Sequence, residues 1–277
     1  MKKLITSVAL VAFAFTPFIA TQAGPAEDVD ALKAYYKKNM PSADFDDYKN
    51  GIYTFNKGAR EQWEEIEEFP PYEIELDIGE ELWEKSFKNG KSFTSCFGED
   101  LSKIRPKYPY HDEEKDTIVT LEGDINKCLT DNGEKPFKWK KGKLAAVSAY
   151  IAKAADGQRI TTMPKSEKAI AWYNKGKNFF YAKRGQLNLS CADCHVYYAS
   201  KWIRGDNLGP ALGHTTHFPV FRSKWGELGT LHRRYGGCNK NIRAKPFKAQ
   251  SDEYKALEYF EATMSTGLEI NGPGSRK

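Results

Sequence analysis

The stretch Ser190-Cys191-Ala192-Asp193-Cys194-His195 decides how the rest of this chain is read. It is a Cys-x-x-Cys-His run, the attachment pattern of a c-type haem. Two thiols at this spacing reach the two vinyl groups of one haem, and the adjacent imidazole becomes the proximal ligand of the iron. A bare Cys-x-x-Cys is shared by zinc, redox and haem sites; His195 at the next position selects haem. The competing reading is a redox pair followed by an unrelated histidine, which a reducing compartment would favour.

The start of the chain addresses the compartment. Lys2 and Lys3 precede an apolar run from Leu4 to Ala20, and Thr21-Gln22-Ala23 offers a small-x-small cleavage site. This pattern predicts a signal peptide over residues 1–23 and a mature periplasmic chain starting near Gly24. As a membrane anchor the run is short and Pro17 breaks it. No later stretch is apolar enough to span a bilayer. The 277 residues carry 42 Lys and Arg against 37 Asp and Glu, a net charge of +5. The two signs are interspersed, so they read as solvated surface and give no reason to expect nucleic acid. Glu64-Glu65-Ile66-Glu67-Glu68 is expected on an exposed helix face or loop.

The remaining cysteines become legible when the two halves are laid over each other. Ser95-Cys96-Phe97-Gly98-Glu99-Asp100 matches the haem run, with Glu99 and Asp100 standing where the second thiol and the histidine belong. Upstream, Asn89-Gly90-Lys91 resembles Lys175-Gly176-Lys177. Cys128 is followed seven residues later by Lys135-Pro136-Phe137, and Cys238 seven residues later by Lys245-Pro246-Phe247. Each of these cysteines precedes a glycine by 29 positions (157 − 128 and 267 − 238). Gly157 and Gly267 each end a helically patterned segment, Leu144 to Ala155 and Tyr254 to Ser265. The expected fold is mainly α, two cytochrome c-like domains from an internal duplication. Residues 24–157 form an N-terminal extension and a haem-less copy; residues 158–277 carry one covalently bound haem c. Cys96 and Cys128, with no haem between them in an oxidising space, are expected to form a disulfide.

The distal side of the iron needs a ligand. No Met lies between His195 and Met264, and Met264 falls in the final helix, where packing is its expected role. His214, His217 and His232 are available by type. Cys238 has more in its favour. Gly236 and Gly237 let the backbone approach a flat group. Arg233, Arg234, Arg243 and Lys245 surround it with positive charge, which favours the thiolate as ligand and nucleophile. The alternative is an inert thiol, with the arginines clasping the haem propionates.

These residues resemble the SoxA subunit family of the SoxAX cytochromes. The likeness rests on Gly79-Glu80-Glu81-Leu82-Trp83, the haem motif, the run from Phe218 to Arg233-Arg234-Tyr235-Gly236-Gly237-Cys238, and the segment from Ala256 to Gly267. It covers most of the mature chain. The resemblance implies an L-cysteine S-thiosulfotransferase of the monohaem kind. Its partners would be a SoxX-like monohaem cytochrome c, with which it forms a heterodimer, and a SoxYZ-like carrier protein whose cysteine receives thiosulfate as two electrons pass to c-type cytochromes. By position, His195 is the proximal ligand, Cys238 the distal ligand and catalytic thiol, and Arg234 the thiosulfate-binding arginine. Arg233 and Lys245 are anion-binding candidates on charge and nearness alone. Two other readings stay open: an electron-transfer cytochrome with no catalytic role, and a thiosulfate dehydrogenase forming tetrathionate.

Overall fold

Apolar residues recur at three- and four-residue intervals through most of the chain, and the computed structural model accordingly folds it largely into helices. It describes residues 24–276. Residues 1–23, the expected signal peptide, lie outside the described residues. Among the described residues no helix is long and apolar enough to cross a membrane.

α1 (Pro25–Asn39) opens with Pro in its first turn and Glu27 and Asp28 at its positive end, and buries Val29, Leu32 and Tyr36. A 3-10 segment, Phe45–Thr54, leads to α2 (Lys57–Glu68), where the Asn56 side chain accepts from the Ala59 amide. The acidic run lies on this helix, which buries none of its residues. The apolar and acidic alternation around Tyr72 to Leu76 suggests a short strand or an arm; the chain instead forms α3 (Glu73–Glu84). The helical period wins because Tyr72, Leu76, Gly79 and Trp83 recur at intervals of four, three and four and turn inward together. α4 (Thr94–Phe97) carries Cys96. A hairpin of β1 (Tyr110–Asp112) and β2 (Thr117–Val119) precedes α5 (Leu121–Asp131), which carries Cys128, and α6 (Lys143–Ala154).

The second half begins with α7 (Glu167–Tyr181). The haem motif follows on a π-helical turn, Asp193–Tyr197, ahead of the small hairpin β3 (Trp202–Ile203) and β4 (Asp206–Asn207). Then come β5 (Val220–Arg222), β6 (Glu227–Gly229), α8 (Leu231–Asn241), α9 (Asp252–Met264) and β7 (Gly274–Arg276). β7 adds to β5 in parallel.

The hairpin-and-helix unit of the first half recurs 110 positions later (220 − 110). Tyr110 pairs with Val119 and Val220 with Gly229; His111 pairs with Ile118 and Phe221 with Leu228. The peptide bonds Tyr108–Pro109 and Phe218–Pro219 are both cis. Positive φ angles fall on Asp116 and Gly226, on Gly133 and Arg243, and on Lys140 and Gln250.

Each half also has one close helix crossing. A Cβ on Gly176 of α7 would lie 2.0 Å from the Ala256 carbonyl oxygen of α9; one on Gly79 of α3 would lie 2.4 Å from the Ala146 carbonyl oxygen of α6. Only glycine lets these backbones touch. Gly79 thus stands at a crossing like that of Gly176, the glycine that the sequence match sets against Gly90. Gly90 sits in a turn at φ 80°.

Reciprocal hydrogen bonds join the two halves. Gly157 donates to the Ile270 carbonyl and Gly267 to the Ile160 carbonyl, flanking an antiparallel bridge between Arg159 and Glu269. Cys96 and Cys128 are joined by a disulfide across a sequence separation of 32.

Candidate active site

The haem motif is held by local hydrogen bonds. The Asp193 carboxylate accepts from the Ser190 amide at 2.8 Å and its hydroxyl at 2.9 Å, and the Asp193 amide donates back to the Ser190 hydroxyl at 3.0 Å. This reciprocal pair starts the motif turn as a capping box starts a helix. From the N-terminal arm, the Tyr36 hydroxyl donates to the His195 carbonyl and accepts from the Ala211 amide at 2.9 Å. Tyr36 is fully buried. No sequence motif singled out the segment from Gly24 to Asp77, yet its first helix braces the motif.

Cys191, Cys194 and Cys238 are free thiols. Burial pushes the Cys191 thiol well above the ordinary range, helped by the Glu261 carboxylate and by the Cys238 and Cys194 sulfurs. Burial raises Cys194 as well, with Cys238 as the next cause. Cys238 therefore lies within electrostatic reach of both motif thiols. Burial holds His195 well below the usual imidazole range, followed by the neighbouring His214. It is neutral and able to ligate a metal. Its Nδ1 sits 2.8 Å from the Gly209 carbonyl. A carbonyl only accepts, so the proton belongs on Nδ1 and the Nε2 lone pair is left bare.

These residues suit a flat group that brings its own metal. Among the described residues no three or more His, Cys, Asp or Glu side chains converge on a point that could hold an ion. The arrangement instead gathers two thiols, a bare imidazole nitrogen and a third thiol around a volume. Gly236 is buried on α8, yet a Cβ built on it would meet no atom within 4 Å. There is open space against this face of the helix, as a haem plane requires.

Three arginines bring positive charge to the site. Arg234 acts electrostatically on Cys194, His195 and Arg222. Arg222, on β5, is 6 % exposed, and burial, then Arg234, lowers its pKa to about 10. Cys238 is among the groups that hold it charged. Arg184 counteracts the rise of the Cys191 pKa, while its guanidinium donates to Asn239 at 2.9 Å and lies over the Phe179 and Phe247 rings. Arg222 lies in the run from Phe218 that carries the family likeness, but nothing local marks its role, and Arg184 is distant from Cys238 along the chain.

Arg233 and Lys245 are not brought into this group. Successive helix residues point about 100° apart, and the Arg233 guanidinium turns to Glu227 at 3.1 Å and lies 4.2 Å above the Trp225 ring. Lys245 is exposed, and its carbonyl accepts from Arg184. Of the histidines offered by type, His214 lies behind His195, against Nδ1. His232 bonds Glu258 and the Gln250 amide. His217 is buried against Phe218. Met264 is 2 % exposed in the hydrophobic core.

A family model described as the SoxA/TsdA cytochrome c domain matches residues 78–160. The chain is 54% identical over 250 residues to an L-cysteine S-thiosulfotransferase subunit SoxA of Chlorobaculum tepidum, covering 90% of this chain and 87% of that one. It is 47% identical over 259 residues to the subunit of the same name from Allochromatium vinosum, covering 93% and 92%. Among solved structures, SoxXA from P. pantotrophus superposes with a TM-score of 0.72 at 28% identity, over 78% of this chain and 84% of that one. With a helical cytochrome c fold and this extent of identity, the chain belongs to the SoxA family of L-cysteine S-thiosulfotransferase subunits.

Proposed function

We propose that this subunit oxidatively joins thiosulfate to a cysteine of a SoxYZ-like carrier in the periplasm, using one covalently held haem c and Cys238 as the reactive thiol. Residues 24–157 are the N-terminal extension with a haem-less cytochrome c-like copy, and residues 158–277 are the haem copy. The repeated strand register and the equivalent crossings at Gly79 and Gly176 support an internal duplication. One observation carries the reading: Cys96 and Cys128, at the positions matching Cys191 and Cys238, are bonded with Cα atoms 6.1 Å apart. The same two positions in the second half stay as free thiols, with open space against the buried Gly236 of α8.

Cys191 and Cys194 would hold the haem through thioethers, and His195 and Cys238 would ligate its iron. Haem bound there supplies one-electron oxidation. Arg234 and Arg222 attract the thiosulfate dianion, since charge-assisted bonds to a tetrahedral oxyanion suit guanidinium. The Cys238 sulfur forms a bond with the terminal sulfur of thiosulfate, a step that releases two electrons to c-type cytochromes. The carrier thiolate then attacks that terminal sulfur and leaves with the thiosulfate group. This restores the Cys238 thiolate and balances the cycle. A SoxX-like cytochrome is the partner, by likeness to the SoxXA assembly.

The test is electron paramagnetic resonance of the oxidised, haem-loaded protein and of Cys238→Ala. A low-spin signal of His and thiolate ligation, lost in the variant, is expected. A signal unchanged by the substitution overturns the assignment. Arg234→Ala should keep its haem and lose roughly 10²-fold in turnover, the scale of removing one oxyanion donor.

A further inference from the structure

Behind His195 runs a chain of buried and partly buried hydrogen bonds that the proposed reaction leaves unused. His214 Nε2 lies 3.1 Å from His195 Nδ1, with the two rings edge to face at 84°. His214 Nδ1 lies 3.0 Å from Glu261 Oε1. The other carboxylate oxygen, Oε2, accepts from the Tyr235 hydroxyl at 2.5 Å. Glu261 is 2 % exposed and Tyr235 is 6 % exposed.

The proton positions along this chain follow from its end. A carboxylate accepts only, so it holds the His214 proton on Nδ1. His214 Nε2 is then a lone pair and can only accept, and the single proton that can face it is the one on His195 Nδ1. The opposite arrangement, with His214 Nε2 donating, would move the His195 proton to Nε2, where a metal would have to bind. Glu261 therefore selects, through His214, the His195 tautomer that the Gly209 carbonyl also selects. It also places a buried negative charge one imidazole away from the ligand. A carboxylate behind a ligating histidine fixes the ring and raises its basicity.

We infer that His214 and Glu261 are positioning residues that act through His195 to strengthen its donation and hold the haem iron at low potential. This rests on the haem-binding reading above. Low potential favours the ferric state, and a more basic axial imidazole stabilises that state.

The experiment uses the full haem-loaded chain and its Glu261→Gln, His214→Leu and double variants. Haem content is measured by pyridine haemochrome, and the midpoint potential by spectroelectrochemical titration. Each single variant should retain covalent haem and shift to higher potential, with altered g-values of the ferric low-spin signal. The double variant should shift no further than the larger single change, because both act along one chain. Additive shifts would mean that Glu261 acts by charge alone and would overturn the relay. Unchanged potentials in haem-bearing single variants would overturn the inference altogether. Absence of covalent haem from the wild-type protein would instead defeat the underlying reading. Glu261→Gln keeps the shape of the side chain; should it not fold, His214→Leu carries the same test alone.

Discussion

Replacing Cys96 and Cys128 by alanine should destabilise the chain strongly while leaving haem attachment in the other half intact. The bond closes a loop with a sequence separation of 32. In the chain-entropy model that closure removes about 12 cal/mol/K from the unfolded chain, or about 3.7 kcal/mol at 25 °C. Cys128 is 3 % exposed, inside the cluster formed by Trp83, Phe87, Phe93, Ile125 and Leu129. Truncating its sulfur therefore also loosens packing and adds to the loss. For a domain of this size about 2–4 °C accompanies each kcal/mol, so melting should fall by roughly 7–15 °C. The assay is thermal unfolding followed by far-ultraviolet circular dichroism and by the Soret band. Reduced wild-type protein should melt close to the double variant. A drop below about 1 kcal/mol would refute the reasoning, showing that the hairpin and helices of the first half hold without a cross-link.

Gly176→Ala forces a Cβ to within 2.0 Å of the Ala256 carbonyl and should cost at least about 1–3 kcal/mol in denaturant unfolding; a neutral result would mean that the α7 and α9 backbones can separate freely. Tyr36→Phe removes the hydroxyl shared by the His195 carbonyl and the Ala211 amide, and should cost about 1–2 kcal/mol and loosen haem retention. Arg233→Ala should spare turnover and cost about 1 kcal/mol of stability, because its partners are Glu227 and Trp225; a loss of turnover equal to that of Arg234→Ala would place it at the site after all. Burial first, then Arg276 and His214, hold His217 well below the usual imidazole range, so it stays neutral when folded. As pH falls below the unfolded value near 6.5 the unfolded chain alone takes up this proton, and stability should drop by up to about 1.4 kcal/mol per pH unit; His217→Asn should flatten that slope.

The residues that can be read from sequence are those whose chemistry depends on neighbours along the chain. Cys191, Cys194 and His195 form one turn, so their spacing states their use. Arg234 precedes Cys238 by one helical turn, and the lysine-proline-phenylalanine repeat marks where the two halves align. Arg222, Arg184, Tyr36, His214 and Glu261 reach the same place from separate elements, and no local pattern announces them. Arg233 illustrates the reverse: charge and nearness suggest a role, and its side chain turns to Glu227. The alternation around Tyr72 misleads in a related way. Five residues of period-two pattern, Tyr72 to Leu76, look like a strand, but the inward residues extend to Gly79 and Trp83 on a helical period. Gly79 itself is recognisable only once α3 is seen crossing α6.

On the proposed duplication, one cysteine position serves two chemistries. Cys128 on α5 and Cys238 on α8 occupy the same place in the hairpin-and-helix unit. In the first half the Cα atoms of Cys96 and Cys128 approach to 6.1 Å, within bonding range of two thiols. In the second half the buried face at Gly236 stays open. In the proposed reading, a haem filling that space would keep Cys238 from the motif thiols, and Cys238 is a free thiol. The reactivity of Cys238 then depends less on the residue than on what stands between it and Cys191. In that reading the disulfide in one half and the free thiol in the other are two outcomes of one geometry, separated by the presence of a second thiol at position 194 and a histidine at position 195.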